Sequence, residues 1–493
     1  MTPLDRIEQL TDRGSFEPIR SQVAPGHPGV GRPGDGVLGG TATVDGRHVV
    51  CFAQDGAVAG GSLGRQHAET LVTLLGLARR IRVPVIGAYE SAGARLQEGA
   101  TALDGYARVF RAQTALRGVV PQIAVMTGCS AGGGCYSPAL ADLTVMVRGA
   151  TMFLTGPAVV RSAIGETTTA EALGGVRMHG RNGVADLVVE DLLHARARVG
   201  QALSYLAPGR DRRTSPRHPE QQLETMRASA RSPTPRGQDV KDLIGTLIDG
   251  GSLCEIAPDW ARNAVTVLAR IEGQAVGLVA NQPAWSGGVL DAAASQKIAR
   301  HVRLCDRYRL PLVVLVDTPG FMPGERQEAA AIITHGAAVL EAFASATVPS
   351  VTVVVGQAYG GAFIAMNSKG LGADLTFAWP QAVIGVLGAQ QAVEIIHRAQ
   401  LRGADDAQEL RQQLTARYAN ERQTAAAAVR DGVIDEVLEP SETRRRLSRA
   451  LALFGGGNLP TDEVGAGDVP ADVPRLVEFA RPAVTAAGIR YGA

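Results

Sequence analysis

Residues 349–362 read PSVTVVVGQAYGGA, and residues 121–134 read PQIAVMTGCSAGGG. Each starts with an apolar run that reads as a buried strand. Each ends in a glycine pair that opens a helix-like pattern, "GGAFIAM" in the second case. Gly128, Gly132 and Gly133 fall on Gly356, Gly360 and Gly361, an offset of 228 residues. Working outward, "RVPVIGAYESAG" (82–93) pairs with "RLPLVVLVDTPG" (309–320), and "GGSL" from Gly60 pairs with "GGVL" from Gly287, both at an offset of 227. "ADLTVMV" from Ala141 pairs with "ADLTFAW" from Ala373, where the offset has grown to 232. The entry segments also match, "RIEQLTDRGSFEPI" (6–19) beside "LIGTLIDGGSLCEI" (243–256). Matches in one order at nearly constant spacing imply one fold written twice.

The chain has 493 residues, too long for one compact core and suited to two domains. The repeat places an N-terminal domain at 1–210, a linker at 211–238, a C-terminal domain at 239–455 and a tail at 456–493. The linker is rich in Pro, Ser and Arg and lacks apolar periodicity, and the tail reads as loosely ordered. A net charge of +1 gives no reason to expect nucleic acid or an anionic membrane as partner. Lysine occurs only at 241, 297 and 369, so arginine carries nearly all the positive charge. Residues 1–20 are too polar for a signal peptide, and no apolar run is long enough to span a bilayer. The cysteines at 51, 129, 135, 254 and 305 form no C-x-x-C pair. That argues against a metal site or disulfide framework and for a cytoplasmic protein.

Within each copy, short apolar strands alternate with helical stretches, the layout of an α/β domain. After the strand "VVCFAQ", the stretch 64–81 puts Ala68, Leu71, Leu74, Leu75 and Ala78 on one helical face. The strand "VPVIGAY" follows, then the turn "SAGARLQEG", then a helix over about 102–116. Both glycine turns sit where a strand feeds a helix. The first N–H groups of a helix have no internal partner, and the macrodipole adds about half a positive charge there. Glycine lets a ligand oxygen approach that backbone closely. The arrangement suits an oxygen that gains negative charge. The plain alternative is tight strand-to-helix packing. Recurrence at matching positions favours the chemical reading. Neither turn has G-x-G-x-x-G spacing, and no P-loop occurs.

Longer motifs now carry a resemblance. "GGSLGRQHAETL", "SAGARLQEG", "CSAGGGCYSPALAD", "ANQPAWSGGVLD", "LVDTPGFMPGERQE" and "ITHGAAVLEAFASATVPSVTVVVGQAYGGAFIAMNSKGLGAD" resemble the β (carboxyltransferase) subunit of biotin-dependent acyl-CoA carboxylases, of the propionyl-CoA and acetyl-CoA carboxylase type. The likeness runs from about residue 4 to 440. It implies an α/β fold of two tandem crotonase-like (ββα-spiral) domains related by internal duplication. It also implies a partner that carries biotin carboxylase and biotin carboxyl carrier functions, and a homo-oligomer, a hexamer. Carboxybiotin on the carrier and the coenzyme A of the substrate would meet between the N-domain of one subunit and the C-domain of another. The ureido oxygen would take the α-proton of the acyl-CoA, and the enolate would attack CO2.

The same resemblance assigns residues. Gly132, Gly133 and Gly134 would hold the thioester oxygen, and Gly361 and Ala362 the ureido oxygen of biotin. Gly93, Ser130, Ala131, Tyr359 and Gly360 would line the cofactor side of the two turns. Arg95 either contacts a CoA phosphate or fixes its own loop. Tyr136 and Ile364 would border the acyl pocket, although Tyr136 and Ser137 also read as packing residues. Ile364 stands where family members carry Asp or an apolar residue, and isoleucine implies acceptance of acetyl-CoA. Asp317 reads as a cap of the "TPG" turn, and His335 as a structural histidine.

Departures from the family pattern are also visible. The chain begins almost at "RIEQLTDRGSFEPI", without the usual N-terminal helical extension, so its CoA contacts are expected to differ. Gly356-Gln357 stands where relatives often have Arg-Lys, and "QEAAAI" has Ala where a Gly pair is common. No biotinylation "MKM" and no ATP-grasp motif occurs, so the chain is expected to depend on a partner. An acyl-CoA decarboxylase of the same fold and a non-catalytic scaffold homologue are the alternatives.

Overall fold

The structure is a computed structural model in which residues 1–27, 29–30, 32–207 and 239–454 are described. The expected linker and tail therefore lie outside the described residues. The described strands form two eight-stranded mixed sheets. The first holds β1 (Glu17–Pro18), β2 (Val37–Val44), β3 (Arg47–Gln54), β4 (Val85–Ser91), β5 (Gln122–Ala131), β6 (Leu143–Val147), β7 (Thr151–Phe153) and β8 (Leu187–Val189). The second holds β9 (Cys254–Glu255), β10 (Ala264–Ile271), β11 (Gln274–Asn281), β12 (Leu312–Thr318), β13 (Ser350–Tyr359), β14 (Leu375–Ala378), β15 (Val383–Gly385) and β16 (Glu436–Val437).

The two sheets share one order. β1-β2-β3-β4-β5-β6-β8 with β7 on β5 is matched, strand for strand, by β9-β10-β11-β12-β13-β14-β16 with β15 on β13. Each opens with an antiparallel hairpin, β2–β3 or β10–β11. The hairpin turns are Asp45-Gly46 and Glu272-Gly273, and all four residues have positive φ. That is the two-residue turn whose twist matches its strands. From β3 and from β11 onward the pairing is parallel. Parallel neighbours need crossovers, and helices supply them. Helix Arg65–Ile81 joins β3 to β4 and buries Ala68, Leu71, Leu74, Leu75 and Ala78, the face its spacing implies. Helix Ala292–Arg307 does the same between β11 and β12.

The two halves are packed into one unit. A single core cluster runs from Ile7, Val125 and Val199 to Ile298, Val316 and Ala362. Polar contacts cross the same seam. Arg300 donates to Asp186 at 2.6 Å and to the Gly183 carbonyl at 2.6 Å, and lies over the Trp260 ring. Arg307 and the Tyr308 hydroxyl both donate to Asp142, at 2.7 and 2.6 Å. No described helix is long and apolar enough to cross a membrane. All five cysteines are free thiols.

Burial pushes the Asp186 carboxyl above the ordinary carboxylate range, and the Arg300 charge pulls it back. Arg300→Ala leaves that carboxylate, 8% exposed, without its counter-charge. Arg300 itself is 43% exposed, so the expected cost is roughly 2–3 kcal/mol, below the range for a fully buried pair. A carboxyl whose folded pKa lies above its unfolded value loses stability as pH rises through that range. The deficit of Arg300→Ala in urea melts should therefore be largest near neutral pH and shrink toward pH 4.

Candidate active site: two open strand-to-helix turns

β5 ends at Ala131, and a 3-10 turn over Gly132–Cys135 leads into helix Tyr136–Leu140. β13 ends at Tyr359 and runs directly into helix Gly360–Ala365. Ala131 and Tyr359 are both extended, and the glycine after each is left-handed, φ +56° at Gly132 and at Gly360. That φ is cheap only for glycine. It turns the chain so that the next amides point away from the strand. The N–H groups of Gly133, and of Gly361 and Ala362, precede the first intrahelical donor of their turns, whereas Gly134 is the first donor of its own 3-10 turn.

Capping explains why they stay open. Elsewhere Asp191, Asp291 and Thr424 cap their helices by accepting first-turn amides. Ala131 and Tyr359 have no acceptor to turn inward, and neither helix has a side-chain cap. An unpaired amide costs about 1–3 kcal/mol if no water or ligand meets it. Two such helix starts at matching places suit a ligand oxygen that acquires charge.

The remaining residues named from the motifs fall as follows. Gly93 is buried against the first turn, where a Cβ would stand 3.1 Å from the Ala131 carbonyl. Ser130 is buried, and its hydroxyl has no partner among the described residues. Tyr136 is 49% exposed beside the turn and meets Phe110 edge to face. Ser137 is buried and its carbonyl accepts from Gln113, which is packing. Ile364 is 49% exposed on the outer face of the second turn. Tyr359 is half-buried, which raises its hydroxyl pKa. His335 pairs with Gln296 on the helix surface.

Arg95 is fully buried. It pairs with Asp35 and with Glu98 at 3.1 Å, and donates to the Asp35 and Ser62 carbonyls. Of its two readings, the geometry is that of a loop anchor. Its charge and burial together lower the pKa of the neighbouring, wholly enclosed His67 to about 3, burial being the larger cause. Asp317 accepts the N–H of Gln357 at 2.8 Å, on the neighbouring strand, and the Gly320 amide donates to the Thr318 hydroxyl. Its counterpart in the first half, Glu90, escaped the sequence reading. The signal was present: "YES" and "VDT" sit at equal places in the repeat.

Each turn packs chiefly against its own half. β4, β5, β7 and helix Tyr136–Leu140 surround the first, and β12, β13 and helix Ile332–Ser345 surround the second. A cavity of about 520 Å³ lies instead at the seam, lined by Asp142, Asp186, Lys297, Arg300, His301 and Arg307 among others, and by no turn residue. The described residues include no cluster of three or more metal-ligating side chains.

Known proteins share this fold. The model of the carboxyl transferase domain matches residues 1–456. The chain belongs to the carboxyl transferase family. It is 40% identical over 482 residues to the propionyl-CoA carboxylase carboxyltransferase subunit of Haloferax mediterranei, covering 95% of this chain and 93% of that one. It is also 40% identical to the methylmalonyl-CoA carboxyltransferase 12S subunit of Propionibacterium freudenreichii, covering 92% and 88%. Likewise it is 40% identical to the methylmalonyl-CoA decarboxylase subunit alpha of Veillonella parvula, covering 95% and 93%. Among solved structures, the transcarboxylase 12S hexamer with methylmalonyl-coenzyme A and methylmalonic acid bound superposes with a TM-score of 0.86 at 38% identity, covering 95% of this chain and 92% of that one. The family member is thus a carboxyl-transferring enzyme with the fold that its motifs implied.

The two glycines of a turn should differ under substitution. Gly360→Ala puts a side chain at φ +56° with its Cβ 3.1 Å from the Val386 carbonyl. It is expected to lower stability by about 1–2 kcal/mol. A Cβ at Gly361 meets only the Phe321 ring, at 3.7 Å. Thermal unfolding should therefore find Gly361→Ala within about 0.5 kcal/mol of the parent.

Proposed function

We propose that the chain is the carboxyltransferase component of a biotin-dependent acyl-CoA carboxylase. It moves a carboxyl group from biotin on a separate carrier subunit to the α-carbon of a short acyl-CoA, of the acetyl, propionyl or butyryl class. The supporting observation is the repeated left-handed glycine bend that opens an uncapped helix start, one per half. The first half, residues 1–210, binds the acyl-CoA, and the second, 239–455, receives biotin, the two being copies of one crotonase-like domain.

The chain's own groups act on charge. The amides of the bend Gly132, Gly133 and Gly134 hold the thioester oxygen as the α-carbon loses its proton. Gly361 and Ala362, preceded by the bend at Gly360, hold the ureido oxygen. Carboxybiotin, when bound, supplies CO2 and then a basic oxygen, so no side-chain base is required. Ser130, Ala131, Tyr359 and Gly93 support the turns from behind. Arg95 keeps the loop of Gly93 in place. Tyr136 and Ile364 stand beside the acyl path.

A complete site needs both turns to face one space. Exposed apolar side chains rim each: Leu154, 58% exposed, by the first and Val386, 75% exposed, by the second. Such faces suit burial between subunits. The transcarboxylase 12S relative is a hexamer, and we assign the same kind of assembly here. Open amides in both halves argue against a scaffold role. Decarboxylation stays as the second reading, because a methylmalonyl-CoA decarboxylase subunit is as similar as the carboxylase subunits.

Labelled bicarbonate tests this directly. The chain with ATP and its biotinylated partner should label acetyl-, propionyl- and butyryl-CoA, and the chain alone should label none. Carboxylation without biotin would refute the assignment, and loss of carboxyl from malonyl- or methylmalonyl-CoA without any partner would favour the second reading. Gly361→Val is expected to lower kcat by about 10²–10³, the scale of one lost oxyanion donor, with little change in the unfolding midpoint. Equal loss of fold and turnover would return the turn to packing. Ile364→Asp should shift kcat/KM away from acetyl-CoA and toward propionyl-CoA by about tenfold, within the range for a one-methylene discrimination.

A further inference from the structure

Both sheets break register at the same place. β4 and β5 run together to Tyr89 and Met126, then resume at Ser91 and Ser130. β12 and β13 run together to Val316 and Val354, then resume at Thr318 and Ala358. One residue on the first strand thus faces three on the second. That residue is acidic in both halves: Glu90 opposite Thr127, Gly128 and Cys129, and Asp317 opposite Val355, Gly356 and Gln357.

The carboxylate fills the space over the middle glycine. A Cβ on Gly128 would stand 2.7 Å from the Glu90 carboxyl carbon, and one on Gly356 2.4 Å from that of Asp317. The backbone N–H of each acid is held by a side-chain amide, Gln54 at 3.0 Å and Asn281 at 3.1 Å. Asp317 Oδ1 accepts the N–H of Gln357 at 2.8 Å, and Glu90 pairs with Arg6. Bulges leave amides without ladder partners and re-aim the strand that follows. Here the strand that follows carries the open amides, four residues beyond the bulge.

A negative charge close to these turns opposes the anion they are proposed to hold, so filling space is a poor reason to keep an acid there twice. We propose that Asp317 is a positioning residue, with Glu90 at the matching place: the Asp317 carboxylate pins the bulge of the next strand through the Gln357 amide, and the pinned bulge sets the direction of the helix-start amides beyond it. The inference rests on the proposed role of those amides.

Asp317 offers the sharper test. Asp317→Asn keeps an acceptor for the Gln357 N–H, while Asp317→Ala removes it. With the biotinylated partner, Asp317→Ala should lower kcat at least tenfold with the acyl-CoA KM within twofold, and Asp317→Asn should restore kcat to within threefold of the parent. Hydrogen exchange of peptides over 355–366 should quicken at least tenfold in Asp317→Ala and stay at the parental rate in Asp317→Asn. If the alanine variant does not fold, Asp317→Leu fills the volume without an acceptor and should behave as alanine would. The proposal falls if Asn loses as much turnover as Ala, which would give the carboxylate itself a chemical part, or if exchange over 355–366 is unchanged in Asp317→Ala and Asp317→Leu. A parent that transfers no carboxyl group at all would count against the proposed function alone, because the exchange measurement still reads the bulge.

Discussion

Unpaired backbone amides at a helix start are the constraint on which this protein is built. Every helix has them, and several helices here close them with an Asp or Thr side chain. At Ala131 and Tyr359 the capping position holds a residue that cannot do so. The buried parallel strand behind each turn then matters in a new way. It fixes where the open amides sit, because β5 and β13 are hydrogen-bonded on both sides by β4 and β6 or by β12 and β14. A turn carried on a central strand moves little, which is what a preorganised anion site requires.

Glycine serves that constraint in two distinct ways. At Gly132 and Gly360 it supplies the left-handed bend. At Gly128 and Gly356 φ is ordinary, and the missing Cβ makes room for a neighbouring carboxylate. A third pair, Gly61 and Gly288, accepts close approach of the Glu90 and Asp317 carbonyls, where a Cβ would stand at 2.1 and 2.5 Å. The three pairs sit at equivalent places in the two halves. The repeat first noticed as spelling is thus a repeat of close contacts.

Much of this was readable in the chain, and the reasons are local. The alternation of apolar runs with helical periodicity marked the strands and helices, because buried parallel strands carry near-continuous apolar sequence. The glycine pairs marked the turns, because few other residues accept that φ. Long-range partners were less readable. Nothing in "SAGARLQEG" announces that Arg95 is enclosed by Asp35, which lies 60 residues earlier. Asp317 looked like a cap for its own turn, yet it bonds to Gln357 40 residues later, since the register of two parallel strands is set by the whole sheet. Glu90 escaped notice because its partner Arg6 comes from a separate N-terminal helix.

The halves are alike in backbone and unlike in what surrounds it. The first turn is tight: a Cβ at Gly133 would meet the Tyr106 ring at 3.1 Å, and one at Gly134 would meet Ser91 at 3.1 Å. The second is looser, with Phe321 at 3.7 Å from the same point on Gly361 and an alanine accepted at 362. The acid behind the first turn is paired with an arginine, whereas the acid behind the second accepts a backbone amide. The first turn is therefore the more closely shaped. That fits the oxygen proposed for it, whose acyl chain must be placed against one carbon. The second turn is more open, which fits the proposed ligand, a group that arrives on another protein and has to leave again.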